Sequence, residues 1–385
     1  MANDTDFHIT FYIEKNTTSS FYINVSLNTS SEAPPVQESA IRQFGQSYQR
    51  VHGYLSVMVC IFGIVSNLLN IIVLTRRHMS SPTNFILTAL AIADTLTMST
   101  YPIFAIYMYI VSTPDCSQNH PAGWQYFIIF HNLFIVTCHN MAMWLTVALA
   151  VFRYIFVCQH TRASVWCSMG RARLTVLVVV VATIISCIPN YFAYTVMESV
   201  DNSTNQTQYC IGPSDLARDN PMYAQFVRWL FGVVIKILPC IMMAFLSTLL
   251  IIAMQQAKKR RARLLNKVSR IVDHDHQSSE HNRTTMMLVG VVICFIVTEI
   301  PQGVLAWISA VDDQFWEDVY LHLGDLMDIL VLVNSAFNFI LYCIMSQQFR
   351  NTFKNLFICN VTTSRKINKS NGAEYSIVRT ETTNV

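Results

Sequence analysis

Seven apolar runs, each bounded by polar or charged residues, divide the chain at roughly 52–75, 84–111, 124–158, 171–195, 223–254, 284–309 and 318–345. Crossing a bilayer core takes about 20 apolar residues in a helix, and every run meets that length. The third is the longest and ends in Val151-Phe152-Arg153-Tyr154, so it must tilt or project beyond the hydrocarbon. His131, Asn132, His139 and Asn140 lie inside it, where lipid contact is costly, and are expected to face other helices or a watery cavity. The pattern predicts an all-α membrane protein, a seven-transmembrane helix bundle organised around its third helix.

Charge placement sets the expected orientation. Arg76 and Arg77 follow the first run, Arg162, Arg171 and Arg173 follow the third, and seven Lys and Arg from Lys258 to Arg270 follow the fifth. The alternate loops hold Arg218 among Asp115, Asp201, Asp215, Asp219, Asp312 and Asp313. Basic residues stay on the cytosolic side, so the amino terminus is expected outside and the carboxyl terminus in the cytosol of a multi-pass plasma-membrane protein. Composition agrees: of 385 residues 52% are hydrophobic and 13% charged, with mean hydropathy +0.36. That is too apolar for a soluble protein of this size. The basic run from Lys258 directly follows a membrane helix, so anionic lipid or a signalling protein is its expected contact, and nucleic acid is not a partner.

The segments outside the bundle carry their own signals. Residues 1–50 form a polar tail with Asn-X-Ser/Thr acceptors at Asn3, Asn16, Asn24 and Asn28, and Asn202 and Asn205 repeat the pattern in an outward loop. No cleavable signal peptide is apparent, so the first membrane helix is expected to direct insertion. Cys116 and Cys210 are the only cysteines in outward loops, where disulfides persist, and are expected to be bridged. After the transmembrane domain (51–345), residues 346–359 place Phe349, Phe353, Leu356 and Phe357 at helical spacing, an amphipathic helix for the inner membrane surface, with Cys359 a candidate for palmitoylation. Residues 360–385 read as a disordered cytoplasmic tail open to kinases and arrestin. Its end, Thr383-Asn384-Val385, has the pattern that adds as a strand to a PDZ domain.

Polar residues recur inside helices that do not need them for spanning: Asn67 in Ser66-Asn67-Leu68-Leu69-Asn70, Asp94 in Leu90-Ala91-Ile92-Ala93-Asp94, Arg153 in Phe152-Arg153-Tyr154, and Asn338 with Tyr342 in Asn338-Phe339-Ile340-Leu341-Tyr342. In order and spacing this set resembles the motifs of rhodopsin-like G-protein-coupled receptors over residues 50–360. The stretch Thr298-Glu299-Ile300-Pro301-Gln302-Gly303 is most similar to invertebrate receptors for myosuppressin and FMRFamide-like peptides. The resemblance implies a receptor for a short amidated peptide of the Arg-Phe-amide type, coupled to a heterotrimeric G protein of inhibitory type. It implies G-protein contact through Arg153, Tyr154 and Tyr342. No organic cofactor is implied; Asp94, Asn67, Asn334, Ser335 and Asn338 would hold either water with a sodium ion or interhelical hydrogen bonds alone. Four departures bear on switching: Phe152 replaces the usual acid before Arg153, Phe339 replaces the usual Pro, the fourth run has no Trp, and Cys116 lies well before the third helix; Ala142 stands where relatives often supply a Ser beside the sodium site.

Two further charges lie near the expected midplane. Lys236 and Glu299 sit at similar depths by a helical rise of about 1.5 Å per residue, so they are expected to pair until a ligand arrives. The peptide's Arg would then compete for Glu299, helped near the entrance by Asp325 and Asp328. His131, Ile135, His139 and Gln302 complete the ligand-facing set. Asp273-His274-Asp275-His276 reads as a solvated loop, not a metal tract. No His-Glu-X-X-His, Gly-X-Ser-X-Gly or phosphate-binding Gly loop is present, which excludes the common enzyme classes. An ion-coupled transporter using Asp94, Glu299 and Lys236, and a receptor-like scaffold without agonist, are the alternatives.

Overall fold

A computed structural model describes residues 40–111, 121–158, 165–201, 206–265, 297–305, 308, 315 and 319–359. Six helices among the described residues are long and apolar enough to cross a membrane. Helix α1 spans Ala40–Leu74 and α2 spans Pro82–Val111, ending in a π-helical segment, Ile106–Val111. Helices α3 and α4 are Ala122–Cys158 and Met169–Tyr191. Strands β1 (Tyr194–Asp201) and β2 (Gln206–Pro213) follow, then α5, built from Pro221–Trp229, a π-helical Leu230–Ile237 and Leu238–Leu265. Residues 297–305 are helical and belong to the sixth apolar run, here α6. Helix α7 is Leu321–Met345, and a short α8, Gln347–Phe353, continues as a π turn, Lys354–Cys359.

Local chemistry sets several helix starts. Ser81, Ser168 and Ser346 are N-caps whose hydroxyls accept from the backbone N–H of Asn84, Arg171 and Phe349 at 3.1, 3.5 and 3.2 Å. Pro82 and Pro221 occupy the first helical turn, where the missing N–H is not needed. Helix α1 begins at Ala40, about three turns before the apolar run that marked it in the sequence. Those extra turns lie against α7: a Cβ on Gly45 would come within 2.8 Å of the His322 carbonyl. Glycine permits the approach.

The long third helix is central, as its polar interior predicts. It touches α2, α4, α5 and both strands. His131, His139, Asn140, Phe152 and Arg153 are buried on it. By contrast α4 turns Leu174, Leu177, Val178, Val181, Ile184, Ile185 and Ile188 outward, an apolar face suited to lipid.

At one end of the bundle the strands pair antiparallel from Tyr194↔Pro213 to Asp201↔Gln206. The polar loop read from the sequence is therefore a hairpin. Gln125 of α3 donates to the Tyr209 carbonyl at 2.9 Å, and Ile211 packs with Phe104, Met108 and Ile128, so the hairpin is held down on α2 and α3. At the opposite end α8 folds back onto the bundle. Phe349 is buried against Tyr342, ring centroids 5.7 Å apart, and His78 Nε2 lies 2.8 Å from Thr352 Oγ1.

Candidate ligand-binding site

Midway along the bundle, four polar side chains from three helices meet in an otherwise apolar interior. His139 Nε2 lies 3.1 Å from Glu299 Oε2, and Lys236 Nζ donates to Gln302 Oε1 at 3.1 Å. All four residues are buried, Glu299 to 1% exposure. The Glu299–Lys236 pair expected from the sequence is therefore replaced by two neighbouring pairs. Its depth ruler assumed regular helices, whereas Lys236 lies in the π-helical stretch of α5. More residues per turn shorten the rise, so Lys236 sits nearer the hairpin end and meets Gln302, one turn from Glu299 on α6. Glu299 Oε1 and His139 Nδ1 have no hydrogen-bond partner among the described residues.

Asp325 and Asp328 lie closer to the hairpin end and face α1 and α2. The Tyr109 hydroxyl donates to Asp325 Oδ1 at 2.8 Å, and the Tyr101 hydroxyl donates to Asp328 Oδ2 at 3.4 Å. His52 Nε2 is 3.0 Å from the same Tyr101 oxygen, and His52 Nδ1 is 3.5 Å from the Tyr48 hydroxyl. Tyr48, His52, Tyr101 and Tyr109 were missed in the sequence; the available signal was a histidine with a tyrosine at i−4 in a segment assigned largely to the tail. His131 is outside the buried quartet and borders the second cluster, its ring 5.6 Å from that of Tyr101, centroid to centroid. It is 1% exposed, shares a 2.8 Å hydrogen bond with Thr100 Oγ1 and stacks on Phe104, centroids 4.4 Å apart, so its ring supports packing between α2 and α3. Ile135 packs with Cys60, Met98, Tyr101 and Leu332.

The Asp94 constellation is joined by two hydrogen bonds between helices. Asn338 Nδ2 donates to Asp94 Oδ2 at 2.8 Å, and Asn67 Nδ2 donates to the Ser335 carbonyl at 2.9 Å, tying α1, α2 and α7 together. Asp94 Oδ1, Ser335 Oγ and Asn70 Oδ1 are buried oxygens without a partner among the described residues, and Asn334 Nδ2 is a buried donor without one. A set rich in unengaged oxygens fits a hard cation with water.

Toward the α8 end, Arg153 is buried, its Nε has no hydrogen-bond partner, and no ion pair to it is found among the described residues. This agrees with Phe152 standing in the acid's place. Tyr154 is half-buried, and Tyr342 is buried under Phe349. Cys210 is half-buried on β2. Cys116, its expected partner, lies outside the described residues, as do Asn3, Asn16, Asn24, Asn28, Asn202, Asn205, Asp273 to His276 and the 360–385 tail. Cys359 closes the π turn after α8.

The structure is a multi-helix membrane bundle with a buried polar cluster between its hairpin-covered end and a buried arginine toward α8, and the chain's relatives are G-protein-coupled receptors, signalling proteins and not enzymes. Residues 54–360 match the serpentine-type 7TM GPCR chemoreceptor family Srw, and the chain belongs to that family. It is 33% identical over 344 residues to the sex peptide receptor of Drosophila melanogaster, covering 85% of this chain and 76% of that protein. It is 30% identical over 353 residues to the G-protein coupled receptor dmsr-1 of Caenorhabditis elegans, covering 81% and 69%. The FMRFamide receptor of Drosophila melanogaster is 24% identical over 316 residues, covering 80% and 54%. The chain is thus a rhodopsin-like receptor related to invertebrate peptide receptors.

Proposed function

We propose that this receptor sits in the plasma membrane with its hairpin end outside, binds a short amidated neuropeptide of the Arg-Phe-amide type, and activates a heterotrimeric G protein of inhibitory type at the α8 end. The relatives named for peptides support the ligand class, and the alternation of basic loops supports the orientation. The observation that carries the amide is the buried quartet. A terminal carboxamide offers a carbonyl to the Lys236 ammonium and an N–H to the unpartnered Glu299 Oε1. A free carboxylate there meets a buried carboxylate instead.

Ligand contact at Glu299 acts two residues from Pro301 within α6. Proline lacks the N–H that would continue the helical ladder, which makes this a natural pivot. Binding shifts the bundle toward an arrangement in which Arg153 and Tyr342 leave their buried positions for the G protein. Sodium, held by Asp94 and Ser335 with Asn67, Asn334 and Asn338 around them, would neutralise the buried carboxylate. A Cys116–Cys210 bridge, glycans on the listening face at Asn3, Asn16, Asn24, Asn28, Asn202 and Asn205, a lipid on Cys359, and kinases, arrestin and a PDZ protein at the tail complete the proposal. No feature favours the transporter reading.

Nucleotide exchange in membranes from cells expressing the full chain tests the reading. Amidated Arg-Phe peptides should activate at concentrations where their free-acid forms do not. Equal activity of acid and amide forms refutes the carboxamide assignment, and silence toward every amidated peptide refutes the ligand class.

A further inference from the structure

We infer that Cys167, in the loop between α3 and α4, restrains Arg153 in the closed receptor and sets the threshold for its release. The inference rests on the coupling role proposed for Arg153 and names the residue that holds it. Arg153 is 8% exposed, its Nε has no hydrogen-bond partner, and no carboxylate pairs with it among the described residues. A buried guanidinium without a compensating group is strongly disfavoured. Phe152, directly before it, brings only a buried apolar ring.

Among the described residues, the ionisable neighbour that acts on Arg153 is the Cys167 thiol. Cys167 Sγ donates to the Phe152 carbonyl at 3.5 Å, next to Arg153 in the chain. With its proton directed at that carbonyl, the sulfur turns lone pairs toward other neighbours, and a guanidinium has only donors to offer them. Burial lifts the thiol above its usual range, while Arg153 and then Arg171 pull it down. Burial wins, so the holder is a neutral thiol, weaker than a carboxylate. Arg153 is held in the closed bundle and leaves it without breaking a buried ion pair.

The first turn of α4 fixes the thiol in place. The Ser168 hydroxyl accepts from the Arg171 backbone N–H at 3.5 Å, and the Arg171 guanidinium carbon lies 4.6 Å from the centroid of the Trp166 ring. Trp166 and Ser168 flank Cys167, so both anchors act on its backbone. Ala172, fully buried one turn further on, packs in the same core as Phe152 and Tyr342, and Cys167 packs against that core. The loop thus presents a half-buried thiol to the end of α3 from a rigid mount.

Ligand-free nucleotide exchange in membranes from cells expressing the full chain tests the restraint, with surface expression measured in parallel. Cys167→Ala should raise exchange at least about twofold, because the closed state alone loses a contact. Cys167→Asp, which offers a carboxylate to the same guanidinium, should leave exchange at or below wild type. A residue that merely packs the loop would loosen it in both variants. Both variants raising exchange, or Cys167→Ala leaving it unchanged, overturns the inference. The contact is also measured without a G protein. At neutral pH, alkylation of Cys167 by iodoacetamide, read by mass spectrometry against exposed Cys158, should be about threefold slower in Arg153→Ala, since losing a guanidinium lowers the thiolate fraction. An equal or faster rate overturns the inference as well. Should Arg153→Ala fail to reach the surface, the opposite behaviour of the two Cys167 variants decides alone. Slower alkylation in a chain that stimulates no exchange under any condition overturns the coupling role of Arg153, and the restraint with it, while the contact stands.

Discussion

Replacing His139 by Phe isolates the contact that secures Glu299. The ring nitrogen lies 3.1 Å from the carboxylate, with the two side chains 4% and 1% exposed. At that distance an effective dielectric near 20 gives an attraction of about 5 kcal/mol between full charges, a ceiling that desolvation reduces. Removing one partner of a buried pair typically costs ~3–5 kcal/mol, because the remaining charge stays buried and uncompensated. Lys236 is held at Gln302 and reaches Glu299 only by giving up that bond. Glu299→Gln should be milder, about 1–2 kcal/mol, since a neutral amide remains a hydrogen-bond acceptor for the His139 ring. The double variant should be less impaired than the sum of the singles, with a coupling of about 2 kcal/mol. Thermal inactivation of ligand-free receptor in detergent, followed by peptide binding with Asp94→Asn as an unrelated reference, measures all three. Additive effects, or a His139→Phe receptor as stable as wild type, would refute the pairing.

Three further outcomes follow from other parts of the structure. Arg153→Ala should abolish nucleotide exchange and leave peptide binding within about threefold; unchanged exchange removes Arg153 from the coupling surface. Asp94→Asn should eliminate any inhibition of agonist binding by sodium relative to potassium, and equal sodium sensitivity in the variant would show that the ion acts elsewhere. Gly45→Leu should push α1 off α7 at His322 and destabilise the ligand-free receptor by about 1–3 kcal/mol; unchanged thermal stability would mean that the close approach of α1 to α7 is not needed for packing.

Hydropathy located the membrane crossings, six of which stand as long apolar helices among the described residues, because partition between water and lipid is a property of each segment by itself. The same reasoning picked out the buried polar positions on α3, and Asp94 and Asn338 indeed meet across 244 residues of sequence. Pairing between helices was a different matter. It depends on rotation and rise, and a π-helical stretch in α5 was enough to move Lys236 from Glu299 to Gln302. The hairpin was read as loop because its strands find their partners only in each other and their anchorage only on α2 and α3. The cluster of Tyr48, Tyr101 and Tyr109 around His52 reaches Asp328 through a Tyr101 hydrogen bond spanning 227 positions. No local pattern specifies it; close approach of α1 to α7 at Gly45 and of α1 to α2 at Gly53 does, since a Cβ on Gly53 would come within 2.5 Å of Tyr109 Cβ. The sequence alone therefore assigned these side chains to helices, and only the packed bundle, where backbones come close enough for hydroxyl, imidazole and carboxylate to meet, made them a site.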